Sequence, residues 1–453
     1  MKIVIVGGGK IGSTLAECLT KEGNDVTLID NNPQTVENIV NTSDILGIVG
    51  NGVNFSVQRD AGVAHADVMI ATTYSDEINM LCCLIAKKLG VRHTVARIRD
   101  PEYSKQFIYM LDEMGLDLAV NPEYEAACEI FRLIRFPSAI GIDTFAKGYV
   151  DLAEMKIGTG SVLDGIRVTD IQKNLNVRLL VCAVQHGENV YIPNGNSILY
   201  AGDKIHFTAS RSQLAEFFRK TGAAKQKLRN IFIIGGGHIS YYLARQLLDS
   251  GMAVKIIELD EKRCAELSEL LPKAQIICGD GTDQTLLREE NFDKADACVA
   301  ATGIDEENIS TSLYAKSIGI NKIITKISKA SLTDMLESVG LDSIVSPKQI
   351  TSNLILSYVR AINNATGSNV RTLYKLVGDR AEALEFYVTE NSKLIQTPLK
   401  DLKRKLKNNL LIACIIRSNT VLIPGGNDVI LPGDSVIVTA ADSQFTDIDD
   451  ILR

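Results

Sequence analysis

Met-Lys-Ile-Val-Ile-Val-Gly-Gly-Gly-Lys-Ile-Gly, residues Met1 to Gly12, is the stretch whose reading decides the fold. Lys2 to Val6 is an apolar, β-branched run with no polar face, the pattern of a strand buried on both sides in a parallel sheet. Gly7, Gly9 and Gly12 follow at G-x-G-x-x-G spacing, with Lys10 and Ile11 inside the loop. Ile11, Leu15, Cys18 and Leu19 then repeat at helical period. Strand, glycine turn and helix in that order leave free N–H groups and a positive helix end facing an anion. Gly7 permits the tight turn, Gly9 the close approach of a pyrophosphate, and Gly12 the packing of helix on strand.

The rest of the unit is present. Asn24 to Ile29 reads as a second strand ending at Asp30, eighteen residues after Gly12, where a carboxylate would bond ribose hydroxyls. Asp30 and Asn31, with no Arg beside them, favour NAD over NADP. Asn51, Gly52, Thr72, Thr73 and Asn79 follow the third and fourth strands, at the carboxyl edge where ligands of this fold lie.

A length of 453 residues suggests roughly three domains at about 150 residues each. A net charge of −7 carries no basic footprint and argues against nucleic acid as a partner. The longest apolar runs, such as Leu410 to Ile416, fall far short of the roughly 18 residues that span a bilayer, and the N-terminal run opens straight into the glycine loop, unlike a signal peptide. Nine cysteines without C-x-x-C spacing read as small buried hydrophobes in a reducing cytosol. Five histidines and no H-E-x-x-H give metal binding no support.

The chain repeats itself. Asn230 to Ile234 is a second buried-type strand, followed by Gly235, Gly237, His238, Ile239 and Ser240, and both Gly7 to Gly235 and Asp30 to Glu258 are 228 residues apart. Asn51 meets Asp280, Thr73 meets Thr302, Asn79 meets Asn308 and Arg97 meets Lys326, each at 229. An offset this steady is duplication. After each such half comes an apolar helix, Glu125 to Arg135 and Gln349 to Ile362, and then period-2 segments: Val181 to Tyr191 and Lys204 to Thr208, later Leu411 to Ile423 and Ser435 to Thr439. Pro193-Asn194-Gly195 and Ala201-Gly202-Asp203 read as their hairpin turns. The fold class is therefore α/β: two doubly wound Rossmann-like domains, 1–135 and 226–362, each followed by a small α+β domain, 136–225 and 363–453. The least defined boundary is the helix and polar linker at Ser210 to Arg229.

This order, with Val-Gly-Asn-Gly at 49 to 52, Ala-Asp-x-x-Ile-Ala-Thr at 66 to 72, Asp-Glu-x-Asn-Met at 76 to 80 and Ala-Arg-Ile-Arg at 96 to 99, resembles the regulatory subunits of Trk potassium-uptake systems, built from two regulator-of-conductance-of-potassium units. The resemblance implies a cytosolic ring, a homodimer or tetramer, at the inner face of the cell membrane. It would lie beneath a TrkH-like potassium transporter subunit, with NAD, NADH, ATP or ADP in the crevices.

The alternative for such a chain is an NAD-dependent oxidoreductase, which needs a positioned acid or base at the nicotinamide. The pair Tyr200 and Lys204 spans a turn, and His65, His93, His186 and His206 sit in segments read as surface or strand. Duplicated nucleotide sites without chemistry point to a sensor. Arg97 and Arg99 are candidates for reading phosphate charge; Lys10 and His238 occupy equivalent loop positions near it. Ser240 in place of the third glycine and Asp280, a carboxylate read as lying near the phosphates, lead us to expect tighter binding in the first half. The apolar helices at 125–135 and 349–362 are candidate pairing surfaces for the oligomer.

Overall fold

Strand β1 (Lys2–Val6) is buried from Ile3 to Val6 and lies at the centre of a parallel sheet with β2 (Asp25–Asp30), β3 (Leu46–Val49), β4 (Val68–Ala71), β5 (His93–Arg97) and β6 (Leu118–Val120). The order is β3-β2-β1-β4-β5-β6, with Val6 opposite Ile29 on one side and Ala71 on the other. The chain reverses direction across the sheet between β1 and β4, so their loops part there and open a crevice at the carboxyl ends. The second half repeats this sheet: β12 (Asn230–Ile234), β13 (Ala253–Glu258), β14 (Gln275–Cys278), β15 (Ala297–Ala300), β16 (Lys322–Lys326) and β17 (Ile344–Val345), ordered β14-β13-β12-β15-β16-β17. The computed structural model describes residues 1–100, 115–145, 150–221, 228–364, 370–376, 380–402, 404–418, 420–441, 445 and 447–453. The linker at 222–227 lies outside them.

Each small domain is a five-stranded antiparallel sheet. The first has β7 (Gly141–Phe145), β8 (Val150–Lys156), β9 (Leu180–His186), β10 (Asn189–Tyr191) and β11 (Lys204–Ala209), in the order β10-β9-β11-β8-β7. The second has β18 (Val370–Leu376), β19 (Ala381–Tyr387), β20 (Leu410–Arg417), β21 (Thr420–Leu422) and β22 (Ser435–Ala441), in the matching order β21-β20-β22-β19-β18. The segment expected as one strand from Val181 to Tyr191 is two, because Gly187 turns it at φ 57° and His186 pairs with Asn189. The tight turn therefore lies there, and Pro193-Asn194-Gly195 belongs to the longer return to β11. The two small sheets pack face to face through Leu152, Cys182, Ala183, Ala383, Ala413, Cys414 and Ile437.

The connecting helices correct the expectation about pairing. The first, Pro122–Arg135, buries Ala126, Ala127, Ile130, Leu133 and Ile134 in a core shared with Tyr241, Tyr242 and Leu243 of the other half. The second, Pro347–Asn364, buries Ile355, Leu356 and Val359 against Ile11, Leu15 and Leu19. Each helix thus leaves its own half and covers the glycine-loop helix of the other. Burying a side chain of this size stabilises by roughly 1.5–3 kcal/mol, so these apolar faces join the halves of one chain and are closed to a second copy.

Candidate functional site

The exchanged helices bring the two carboxyl edges together around a single cavity of about 800 Å³. The first half contributes Gly9, Lys10, Ile11, Thr72, Thr73, Arg97 and Glu123. The second contributes Gly235, Gly237, His238, Ile239, Glu258, Asp280, Thr302 and Lys326, together with Glu307, Ser328 and Lys348.

Both glycine loops have the form an anion needs. Gly7 sits at φ 100°, and an added Cβ would meet Thr72 C and Thr73 N at 2.9 Å; Gly235 repeats this at φ 96° against Thr302. At Gly12 a Cβ would come within 1.9 Å of Gly7 O, so helix and strand pack too closely for any side chain. At Gly9 and Gly237, by contrast, a Cβ would meet nothing within 4 Å. Protein packing does not require glycine at those two positions. The helices Lys10–Lys21 and His238–Asp249 start at Gly9 and Gly237 without a capping side chain and with no acidic residue in the first turn. Their first N–H groups stand ready for a phosphate.

Glu258 accepts from Gly236 N through Oε2 and from Asp260 N, 2.8 Å away, through Oε1. Asp30 does the same with Gly8 N at 2.6 Å and Asn32 N at 2.8 Å. Each carboxylate is thereby oriented, and its remaining lone pairs can take ribose hydroxyls. Glu258 lines the cavity.

At the phosphate end, Arg97 donates to Thr73 O and Glu123 Oε1, both at 3.4 Å. Arg97 Nε and Glu123 Oε2 are buried without a hydrogen-bond partner. Burial pulls the Arg97 pKa down, and Glu123 opposes that shift. Lys326 donates to Thr302 O at 2.7 Å; burial lowers its pKa, Asp305 opposes this, and the positive charge of Lys10 from the other half lowers it further. The unpartnered Arg97 Nε and the crowded cations are what a polyphosphate would relieve. The residues present therefore fit a nucleotide.

Several expected ligands lie elsewhere. Asn79 is fully buried, accepts from Thr73 N and Oγ1, and donates to Thr73 O and Arg97 O. Asn308 repeats this with Thr302 and Lys326 O. Both brace the loops from behind, because every polar atom of the amide is engaged by its own half. The Arg99 side chain turns to Tyr74 O and Asp76 and does not line the cavity. Asn51 closes its own turn onto Val53 N, and Gly52 packs against Val6.

The two residues on which the first crevice was expected to bind more tightly than the second are both held by their own loops. Ser240 is accommodated, fully buried with its hydroxyl on Gly235 O. Asp280 follows β14, an edge strand with β13 between it and the glycine loop, and its Oδ1 accepts from Thr282 N at 2.8 Å and Oγ1 at 2.7 Å. It lines the cavity together with Gly281 and Thr282.

Glu123 and Lys348 were missed from the sequence. They follow Asn121-Pro122 and Ser346-Pro347, helix starts legible in themselves, and sit in the first turn after the last strand of each parallel sheet. The histidine lining it is His238; His186 and His206 belong to the small domains, and Lys204 pairs with Glu337.

Comparison with known proteins agrees with this anatomy. The TrkA-N domain matches residues 3–122 and 231–347, and the TrkA-C domain matches 152–222 and 383–453. A Trk system potassium uptake protein TrkA homolog from Archaeoglobus fulgidus is 34% identical over 427 residues, 94% of each chain. The Vibrio alginolyticus Trk system potassium uptake protein TrkA is 32% identical, over 93% of this chain and 92% of that one. Among solved structures, the RCK domain of GsuK superposes with a TM-score of 0.64 at 18% identity, covering 97% of this chain and 92% of that one. The GsuK channel bound to NAD superposes at 0.64 with 20% identity, over 97% and 77%; both show a shared fold. The chain belongs to the TrkA family of Trk system potassium uptake proteins.

Proposed function

We propose that the chain is a nucleotide-responsive regulatory subunit that gates a membrane potassium transporter, and that it has no catalytic role. The observation that carries this reading is the single cavity into which both glycine loops face. A ligand held there touches both halves, so its affinity depends on how they are set, and a ligand shifts an equilibrium only by such a difference. The uncapped helix ends, with Gly237 and Gly9, would hold the phosphates, Glu258 and Asp30 the ribose hydroxyls, and Arg97, Lys10 and Lys326 the added charge of a triphosphate. NAD, NADH, ADP and ATP differ in that charge. A GsuK channel structure is described as bound to NAD and another GsuK structure as bound to ADP, which supports this ligand class. Exposed Phe55 and Leu81 on the first half support assembly with further copies at the inner face of a membrane. Among the described residues no helix is long and apolar enough to cross a membrane, so the ion path would belong to the partner, a TrkH-like subunit.

Calorimetry with the four nucleotides, followed by potassium flux in vesicles holding the partner subunit with and without the chain, tests the reading. Flux that changes with nucleotide only when the chain is present is expected. Turnover of NADH with carbonyl substrates would establish an oxidoreductase instead.

A further inference from the structure

We propose that Cys264 and Cys278 are a reversible dithiol–disulfide pair that regulates the second nucleotide crevice. The two residues flank its ribose-binding carboxylate. Cys278 is the last residue of β14 and the parallel-sheet partner of Glu258. Its Sγ lies 4.0 Å from Leu259 O. Cys264 lies in the first turns of the helix Glu261–Leu270, and its Sγ donates to Glu258 O at 3.3 Å. The thiols thus sit on consecutive carbonyls of one turn. In the first half the equivalent positions are Val36 and Val49, so the fold does not require thiols here.

The environments divide the labour. Of the nine cysteines Cys278 alone is exposed, and an accessible thiol is the one an oxidant meets. Burial first, and contact with Cys278 second, push the Cys264 thiol up to about 12, which keeps it from reacting on its own. With a hydroperoxide as oxidant, the Cys278 thiolate attacks the terminal peroxide oxygen. With hydrogen peroxide this yields a sulfenic acid and one water. Cys264 sulfur then attacks the sulfenic sulfur, the S–S bond forms, and the hydroxyl leaves with the Cys264 proton as a second water. Two thiols lose two electrons and two protons, and one peroxide gains them. Conversion of Cys278 to the neutral sulfenic acid removes the like charge that helps hold the Cys264 proton, so the second step follows the first. A small dithiol reverses the reaction by exchange.

The cross-link ties the Glu261–Leu270 helix to β14 and draws Cys264 away from Glu258 O. Loss of one hydrogen bond at the residue that would orient the ribose should weaken binding about fivefold. This consequence rests on the nucleotide reading above; the cross-link does not.

The test treats the full chain with hydrogen peroxide, alkylates the remaining thiols and maps peptides by mass. Expected is a 264–278 linkage that dithiothreitol reverses and that Cys264→Ser and Cys278→Ser both abolish. The doubly substituted Cys264→Val, Cys278→Val chain, carrying the residues of the first half, is the folding control and should keep ADP affinity unchanged by peroxide. Over-oxidation of Cys278 without linkage, or linkage only between molecules, overturns the proposal. If the linkage forms and ADP affinity is unchanged, the regulatory role is wrong. If ADP binds neither the reduced chain nor the double variant, the nucleotide reading fails and the regulatory role with it, while the cross-link result stands separately.

Discussion

Arg360 near the end of the second connecting helix grips Glu22 at the C-cap of the first glycine-loop helix, its Nε donating to Oε2 at 3.1 Å and a second nitrogen to Oε1, across 338 residues of sequence. The pair is partly shielded, with 15% and 30% of the two side chains exposed, so it resists screening better than a surface pair. Arg360→Ala is expected to cost about 1 kcal/mol in urea unfolding. Leu356→Ala, in the apolar seam beside it, should cost roughly 2–5 kcal/mol. If Leu356→Ala fell within about 0.5 kcal/mol of the parent, the described seam would be wrong.

Gly237 offers a separation of folding from binding. With open space around its Cβ position and an ordinary φ of −67°, Gly237→Ala should leave the melting temperature of the ligand-free chain essentially unchanged. It should weaken ADP or NADH binding at the second crevice about tenfold or more, because the methyl group would stand where a phosphate approaches. Gly12→Ala should instead destabilise the chain outright. Equal ligand affinity in Gly237→Ala and the parent would remove the phosphates from this loop.

Stability should depend on pH through the junction of the first small domain with the second Rossmann-like domain. Lys322 donates to Ala139 O and Ser343 Oγ, and burial pulls its pKa down to about 7, against the pull of Asp342. From about pH 7 to its ordinary value of 10.5 the unfolded chain holds a proton that the native chain lacks, so stability rises with pH across that window. Glu154 lies 3.9 Å from His206, and burial raises its pKa to about 7; Lys204 opposes the shift, whereas Glu337 and Asp342 add to it. Between 4.5 and about 7 the native chain holds the extra proton, and stability falls as pH rises. Its side chain is still 27% exposed, so this limb is the shallower. Urea midpoints against pH should show a minimum near 7. Lys322→Met should flatten the alkaline limb and Glu154→Gln the acid one; limbs that survive these substitutions would assign the titration to other groups.

Each small domain pairs a buried turn carboxylate with a different side chain. Asp434 accepts from Arg417 at 2.9 and 2.8 Å, whereas Asp203, at the equivalent turn, accepts from His186 Nδ1 at 2.6 Å. Both aspartates are 1% exposed and also hold a backbone N–H of their turn. Removing the partner leaves an uncompensated buried charge. Arg417→Ala should therefore cost about 2–4 kcal/mol, and His186→Ala less, since one hydrogen bond is lost rather than two. Equal losses by calorimetric melting would contradict the asymmetry.

The local rules written into the chain were enough for the elements, the four-domain order and the duplication. Buried β-branched runs, glycine spacing at Gly7 and Gly235, and carboxylates at Asp30 and Glu258 are short-range signals, and two copies at one offset make each a check on the other. Period 2 alone did not separate β9 from β10, because the turn at Gly187 preserves the alternation on both sides. The tertiary structure decided which apolar face meets which. Periodicity shows that the helices Pro122–Arg135 and Pro347–Asn364 each have a face to bury, but any complementary surface would satisfy it, and the burial energy carries no address. The choice of the opposite half brings Arg97, Glu123, Lys326 and Lys348 into one cavity. These placements depend on contacts between residues far apart in the chain, where no local pattern specifies the partner.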